Sequence, residues 1–382
     1  MTATPATPAD GATLWIDLSA VRENFRALAR HAAPARLAAV VKADAYGLGA
    51  GPVSEALAAE GCRDFFVAHL SEALELKPVL PEDARLYVLN GLAAGREPAC
   101  AAAGVLPVLN SLDQAERWSR LAPDGGAAPP AVLQIDSGMS RLGLPEAEVR
   151  RLAGDADLLG RLRIDLLMSH LACADEPDHP ANAAQAEAFD RLAAALPDWP
   201  RSLANSHGAL LGPRFRHQLV RSGVFLFGGV RSQVLSPRPV VRLTAPVVQV
   251  RDVPAGAGVG YGFAHVTRAP ARIATVALGY ADGWSWNLAE GWPALFDGQT
   301  LPVAGRVSMD SITLDVTAFE AAGGRLQPGD EVEFLGAGRD IVDAAEAAGT
   351  IPYEILTRMG RRLQRRYVGG PGPLRQQGAA SR

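Results

Sequence analysis

Two residues spaced four apart carry the first chemical signal. Lys42 ends the apolar run from Leu37 to Val41, and Tyr46 follows it just before Gly47-Leu48-Gly49. An ammonium group prefers water, so a lysine at the end of a buried strand is costly, and burial favours its neutral amine. A neutral amine is a nucleophile whose natural covalent partner is an aldehyde, giving an imine. A lone strand-end lysine more often just reaches solvent with its charged head. Here it has company. Asp136-Ser137-Gly138-Met139-Ser140-Arg141, Ser169-His170, Asn205-Ser206-His207-Gly208 and Arg221-Ser222-Gly223 also fall at or just beyond the ends of apolar runs. Taken singly, each is bland: a core histidine, a helix cap, an arginine in a turn. Glycine-serine turns that lead into helices expose backbone N–H groups suited to an anion such as phosphate. An imine-forming lysine beside a phosphate cup points to pyridoxal 5′-phosphate.

Something must hold these groups on one rim. Apolar strand candidates recur at 37–41, 65–67, 85–89, 105–109, 131–136, 162–168, 201–204 and 219–225. Helix-like segments lie between most of them, at 52–60, 71–77, 111–121, 145–153 and 182–195. Short buried strands alternating with helices read as a parallel (β/α)₈ barrel, a TIM barrel, whose active site lies at the C-terminal strand ends. An open doubly wound sheet is the alternative, because periodicity does not show closure. The rhythm stops near Pro237-Arg238-Pro239. Extended segments follow at 240–250, 272–278, 300–304, 311–316 and 330–335, with helix around 341–348 and 353–366. The expected division is a barrel over 13–239, a mostly-β domain over 240–368 and a disordered tail over 369–382, rich in Gly, Pro, Gln and Ser. The stretch Gly256-Ala257-Gly258-Val259-Gly260-Tyr261-Gly262 contains G-x-G, but no βαβ unit surrounds it. It reads as a loop that projects a phenol, not as a dinucleotide site.

Composition narrows the partners. Of 382 residues, 48% are hydrophobic and 20% charged, and the net charge is −4. No basic excess points to nucleic acid or an anionic membrane. No apolar run reaches spanning length, and Met1 to Ala12 lacks the features of a signal peptide. Cys62, Cys100 and Cys173 are scattered and odd in number, which suits free thiols in a reducing compartment and argues against a zinc knuckle or a disulfide frame. A cytoplasmic protein with no metal site is expected.

The motifs together resemble alanine racemase, a fold-type III pyridoxal-phosphate family. Ala39-Val40-Val41-Lys42-Ala43-Asp44-Ala45-Tyr46-Gly47-Leu48-Gly49 is similar to its lysine motif almost letter for letter. The likeness continues through Asp136 to Gly143, His170 to Asp175, Ala204-Asn205-Ser206, Val259 to Gly262, Gly279 to Gly283, Gly305 to Asp310 and Ile351 to Glu354. It spans roughly residues 13 to 368. The resemblance implies a head-to-tail homodimer with sites shared between subunits, acting on a small amino acid. It implies that Lys42 holds the cofactor and is one catalytic base, and that Tyr261 from the other subunit is the second. By the same resemblance Tyr46, Ser206, Gly223, Val224 and Tyr353 bind the phosphate, and Arg221 faces the pyridine nitrogen. Arg141 would lie near the cofactor's phenolic oxygen and the substrate carboxylate, with His170 beside the ring and touching Arg221. Met309 and Asp310 would line the substrate side, and Tyr280 would narrow the entrance. The implied reaction interconverts L- and D-alanine and supplies D-alanine for peptidoglycan.

Three residues depart from the family pattern. Gln134 stands where many members have a lysine, carbamylated in some, that positions the arginine corresponding to Arg141. Its neutral amide is expected to hydrogen-bond Arg141 without supplying charge. Ser308 replaces a frequent cysteine, and His207 follows Ser206 where a small residue is usual. The competing readings are a broad-specificity racemase of the same fold, a fold-related decarboxylase and a non-catalytic pyridoxal-phosphate carrier. The carrier would be a barrel alone, without the domain that bears Tyr261 and Asp310.

Overall fold

The computed structural model describes residues 11–288, 291–336 and 338–370. Val21–Leu226 with Ser232–Pro237 form one compact unit, and the other described residues form a second. The tail expected from residue 369 lies, from 371 onward, outside the described residues.

β1 (Thr13–Asp17) belongs to the second unit's sheet, although the chain up to residue 239 was expected in the barrel. The barrel begins with β2 (Arg36–Val40) and continues through β3 (Asp64–Val67), β4 (Arg85–Val88), β5 (Leu106–Leu109), β6 (Ala131–Gln134), β7 (Ile164–Met168), β8 (Arg201–Ser202) and β9 (Leu219–Ser222). All neighbours pair in parallel, in the order β8-β7-β6-β5-β4-β3-β2-β9. The ends meet where Gln218 N donates to Arg201 O and Arg221 N to Ala204 O, both at 3.0 Å. Eight parallel strands thus make a nearly closed TIM-like barrel, and the open-sheet alternative falls. The strands are short and apolar because a barrel strand is buried on both faces. Phe65 and Phe66 are fully buried, and Phe66 stacks on Tyr87 at 4.3 Å between ring centroids.

Helices return the chain between strands, as the spacing predicts. Ala50–Ala59, Leu70–Leu76, Leu112–Ser119, Glu146–Ala153 and Ala181–Ala193 match the five expected segments within two residues at each end. Local capping sets several starts. Ser111 Oγ accepts from Gln114 N at 3.2 Å, and Asp155 Oδ1 from Leu158 N at 2.9 Å.

The second unit is built on β10 (Val241–Val253), a long strand that pairs antiparallel with β1, with β13 (Ala271–Val276) and with β17 (Glu331–Leu335). Between β10 and β13, β11 (Gly258–Val259) and β12 (His265–Val266) form a separate hairpin. β14 (Ala294–Phe296), β15 (Gln299–Leu301) and β16 (Ile312–Asp315) extend the main sheet. One expectation is corrected. The helix predicted over 353–366 ends at Arg358, and β18 (Gln364–Val368) follows it, parallel to β1. Gly360 N donates to Asp282 O at 2.7 Å and Gln364 N to Ala12 O at 3.1 Å, so tertiary hydrogen bonds take the groups a longer helix would use. Among the described residues no helix is long and apolar enough to cross a membrane.

The N-terminal end of the barrel holds a buried ion-pair cluster. Asp64 is buried at the start of β3 between Arg36 at 2.9 Å and Arg85 at 2.8 Å, and Tyr87 Oη donates to it at 2.8 Å. Residues at this end of a barrel lie away from the C-terminal face that carries active sites and serve stability. Replacing Asp64→Ala orphans the buried Tyr87 hydroxyl and leaves two guanidinia facing each other. A loss of about 2–4 kcal/mol is expected in urea unfolding; a change below about 0.5 kcal/mol contradicts the role.

Candidate active site at the barrel rim

The turn after β2 is left-handed. Ala43, Asp44, Ala45 and Tyr46 have φ of 52°, 55°, 52° and 58°. Such a conformation costs an L-residue about 1–2 kcal/mol. It persists only where its surroundings over-determine it, and such strain collects at functional sites. The supports are visible. Ala45 N donates to Val41 O at 2.9 Å, Gly49 N to Asp44 O at 2.9 Å, and Ala50 N to Asp44 Oδ1 at 2.7 Å. Glu72 Oε1 accepts from Ala43 N at 2.6 Å.

Lys42 opens this turn, half-buried. Burial and the Arg141 cation hold its amine below the usual lysine range, and Glu72 opposes them. The amine is thereby biased toward its neutral, nucleophilic form. Tyr46 is buried, and its phenol lies against Gly223 so closely that a Cβ built there would overlap Tyr46 Oη. Glycine at 223 is thus required by packing. Ser206 Oγ accepts from Gly223 N at 3.1 Å and Phe225 N at 3.3 Å, and lies 3.0 Å from Ser222 Oγ. Tyr46, Ser206, Gly223 and the buried Val224 therefore sit at the ends of β2 and β9, with backbone amides among them.

Arg221, on β9, is buried, without a carboxylate partner among the described residues. It donates to Ser202 O at 3.0 Å, Ser202 Oγ at 2.5 Å, Ser169 O at 2.6 Å and His170 Nδ1 at 3.2 Å. Burial pulls its pKa down to about 9, which still leaves it charged at neutral pH. Because Arg221 must donate, His170 Nδ1 must accept. Burial and the cations Arg221, Arg141 and Lys42 keep the imidazole neutral. The predicted contact between His170 and Arg221 is therefore present.

Arg141 is exposed on the loop after β6, and its guanidinium has no hydrogen-bonded partner among the described residues. Asp136 shapes that loop by accepting from Gly138 N, Met139 N and Ser140 N at 2.9, 2.9 and 3.1 Å. Gln134 does not reach Arg141. Its Nε2 donates to Leu142 O at 3.1 Å, so it fixes the loop's backbone and leaves the guanidinium free. His207, next to Ser206, is held neutral by burial.

The remaining expected site residues belong to the second unit. Tyr261 follows β11 in its hairpin and is 71% exposed. Tyr280 and the 308–310 loop are joined: Tyr280 N donates to Ser308 O at 3.1 Å and Ala281 N to Met309 O at 3.0 Å. Gly279 lies so close to Met309 O that a side chain there would collide. Asp310 pairs with Arg362 at 2.7 Å. Tyr353 lies on the helix Pro352–Arg358. Phe263, Met309, Trp286 and Tyr280 are also exposed on this unit, at 69%, 52%, 51% and 43%.

Sequence reasoning singles out neither Glu72 nor Gln185. Gln185, buried on Ala181–Ala193, accepts from Ala172 N at 2.8 Å and donates to His170 O at 3.0 Å, clamping the loop that carries His170. Nothing in the residue pattern marks it. Glu72, three residues after His69, has the spacing of a helix-capping acid, which was the available signal.

The histidines give the site a pH signature. His31, His170, His207 and His217 all titrate below the ordinary value of 6.5, mainly through burial. A histidine with a depressed folded pKa stabilises the fold above its unfolded pKa, and this is lost as pH falls through that value toward the folded one. The urea midpoint should fall between pH 7 and pH 5, and His207→Gln should flatten part of that fall. A midpoint that rises over this window contradicts the assignment.

Comparison with known proteins follows the same division of the chain. Residues 16–231 match the family model "Alanine racemase, N-terminal domain" and residues 240–367 match "Alanine racemase, C-terminal domain". The alanine racemase of Brucella canis is 50% identical over 375 residues, covering 94% of each chain. A protein of Mesorhizobium japonicum named "Alanine racemase, catabolic" is 49% identical over 367 residues, covering 95% of this chain and 94% of that one. Among solved structures, alanine racemase from Bartonella henselae with covalently bound pyridoxal phosphate superposes with a TM-score of 0.89 at 40% identity, covering 94% of this chain and 99% of that one. The biosynthetic enzyme of Pseudomonas aeruginosa gives 0.84 at 35% identity, over 93% of this chain and 99% of that one. A barrel bearing a low-pKa lysine at its rim, joined to a β domain bearing an exposed tyrosine hairpin, thus has the sequence and fold of one family throughout: the chain belongs to the alanine racemases, a family of isomerases.

Proposed function

We propose that the chain interconverts L- and D-alanine with pyridoxal 5′-phosphate held through Lys42, and that Tyr261 of the partner subunit completes each site. The observation that carries this is the Lys42 amine, biased toward neutrality on the same rim as an anion-suited cup and an uncompensated buried arginine. That donor set fits the cofactor: an amine for its aldehyde, Tyr46, Ser206, Gly223 and Val224 for its phosphate, and Arg221 for its ring nitrogen. Tyr353 joins the phosphate group in this reading. When bound, the cofactor supplies an electron sink that acidifies the substrate's α-proton. A similar protein, that of Bartonella henselae, was solved with the cofactor covalently bound.

The chain's own groups then divide the work. Arg141, free of other partners, binds the substrate carboxylate. Lys42 Nζ takes or returns the α-proton on one face. Tyr261 Oη does so on the other, which one base on a fixed face cannot do. Arg221 is already protonated and can only donate, so the ring nitrogen facing it would be an unprotonated acceptor. His170 holds Arg221 in place as a neutral acceptor. Met309, Asp310 and Tyr280 narrow the substrate side toward a small side chain. A second copy covers the hairpin that exposes Tyr261 and Phe263, giving a head-to-tail homodimer. The first unit binds the cofactor, and the second lends side chains to the partner's site. In this reading the enzyme acts in the cytoplasm and its D-alanine serves peptidoglycan synthesis. Growth of a D-alanine auxotroph expressing it, without added D-alanine, is the expected support; no rescue by an active enzyme counts against that use.

The purified protein should be yellow, and borohydride should fix the cofactor to the peptide that contains Lys42. Label on another lysine overturns the assignment. L-Alanine in deuterated water should yield both enantiomers with deuterium at the α-carbon, whereas a carrier protein yields neither. Tyr261→Phe should keep the colour and lose about 10²–10⁴-fold in kcat; activity within threefold of the unaltered enzyme removes Tyr261 from the mechanism. Arg221→Glu should raise the rate of transamination, and an unchanged rate contradicts the role given to the guanidinium.

A further inference from the structure

We propose that Glu72 is the positioning residue of the Lys42 turn: its carboxylate joins the loop after β2 to the loop after β3 and so aims the Lys42 amine. This rests on Lys42 as the cofactor lysine. Glu72 uses its two oxygens differently. Oε2 accepts from Ala68 N at 2.7 Å and His69 N at 2.9 Å, at the start of its own helix, Leu70–Leu76. That half is ordinary helix capping. Oε1 instead accepts from Ala43 N at 2.6 Å, on the neighbouring loop.

Ala43 is the first of the four left-handed residues and follows Lys42 directly. Its N–H therefore fixes where the chain changes hand. An acceptor held there by a helix start on the adjacent strand gives the turn a partner that propensity does not supply. The same carboxylate is the negative charge that partly offsets burial and Arg141 at the Lys42 amine. Glu72 thus touches no reacting atom, yet it sets both the direction and the electrostatic surroundings of the group that does. A capping glutamate without this role would need only Oε2.

The test uses holoenzyme carrying Glu72→Ala, Glu72→Gln or Glu72→Asp, with hydrogen exchange, steady-state kinetics and thermal unfolding measured on each. In Glu72→Ala the Ala43 amide should exchange about tenfold faster or more. The value of kcat should fall about 10- to 100-fold, with KM for alanine changed less than about threefold, as expected when a reacting group is misaimed. Glu72→Gln keeps one accepting oxygen and should fall between Glu72→Ala and the unaltered enzyme. Unchanged exchange at Ala43 overturns the proposal. So does a fall in thermal stability while kcat per folded site stays within twofold, the result expected of a cap alone. If Glu72→Ala does not fold, the same two readouts on Glu72→Asp decide. Failure of borohydride to mark Lys42 in the unaltered enzyme would remove the functional reading, while exchange at Ala43 would still judge the hold of Glu72 on the turn.

Discussion

The rim of this barrel depends on one strained turn. Four residues with side chains, Ala43 to Tyr46, run left-handed directly after Lys42. Such a run is unfavourable by itself, and it is held by groups drawn from Asp44, Glu72 and the strand end at Val41. Tyr46 closes the turn by burying its phenol against Gly223, across the paired strands β2 and β9. The strain therefore fixes two things together: the place of the lysine and the packing of Tyr46 on Gly223, which in the proposed function walls the phosphate site.

In the proposed reaction a lysine fixed in this way serves one face of the substrate's α-carbon. Burial and Arg141 lower the pKa of its amine, and Arg221 and His170 are fixed neighbours on the same rim. Nothing in this arrangement returns a proton to the opposite face. In the proposed reaction that work falls to a phenol, and the chain offers one on an exposed hairpin, where Phe263 is exposed beside it. Family membership and the eight-stranded barrel stand apart from this reading. The sharing of the site between two copies is its main inference.

Much of this was legible in the residues. The alternation of apolar runs and helical segments gives the barrel because a doubly buried strand has to be short and apolar. The reactive groups could be placed on one rim because barrels gather strand C-termini there. What escaped was whatever depends on distant partners. Ala43 to Tyr46 have no propensity for a left-handed turn, so only tertiary contacts reveal it. β18 reads as helix until its pairing with β1, from the far end of the chain, is known. Gln134 was expected on Arg141 and instead holds the Leu142 carbonyl, a difference of one residue in a tight loop that no pattern resolves.

The most direct measurement mixes two inactive variants. Lys42→Ala and Tyr261→Phe homodimers, dissociated together and reassembled, form hybrids in which one of two shared sites receives both changes and the other receives neither. Random reassembly then restores about 25% of the original activity, because half the dimers are hybrids with one intact site. If each site were built from a single chain, every site would carry a defect and the mixture would remain inactive.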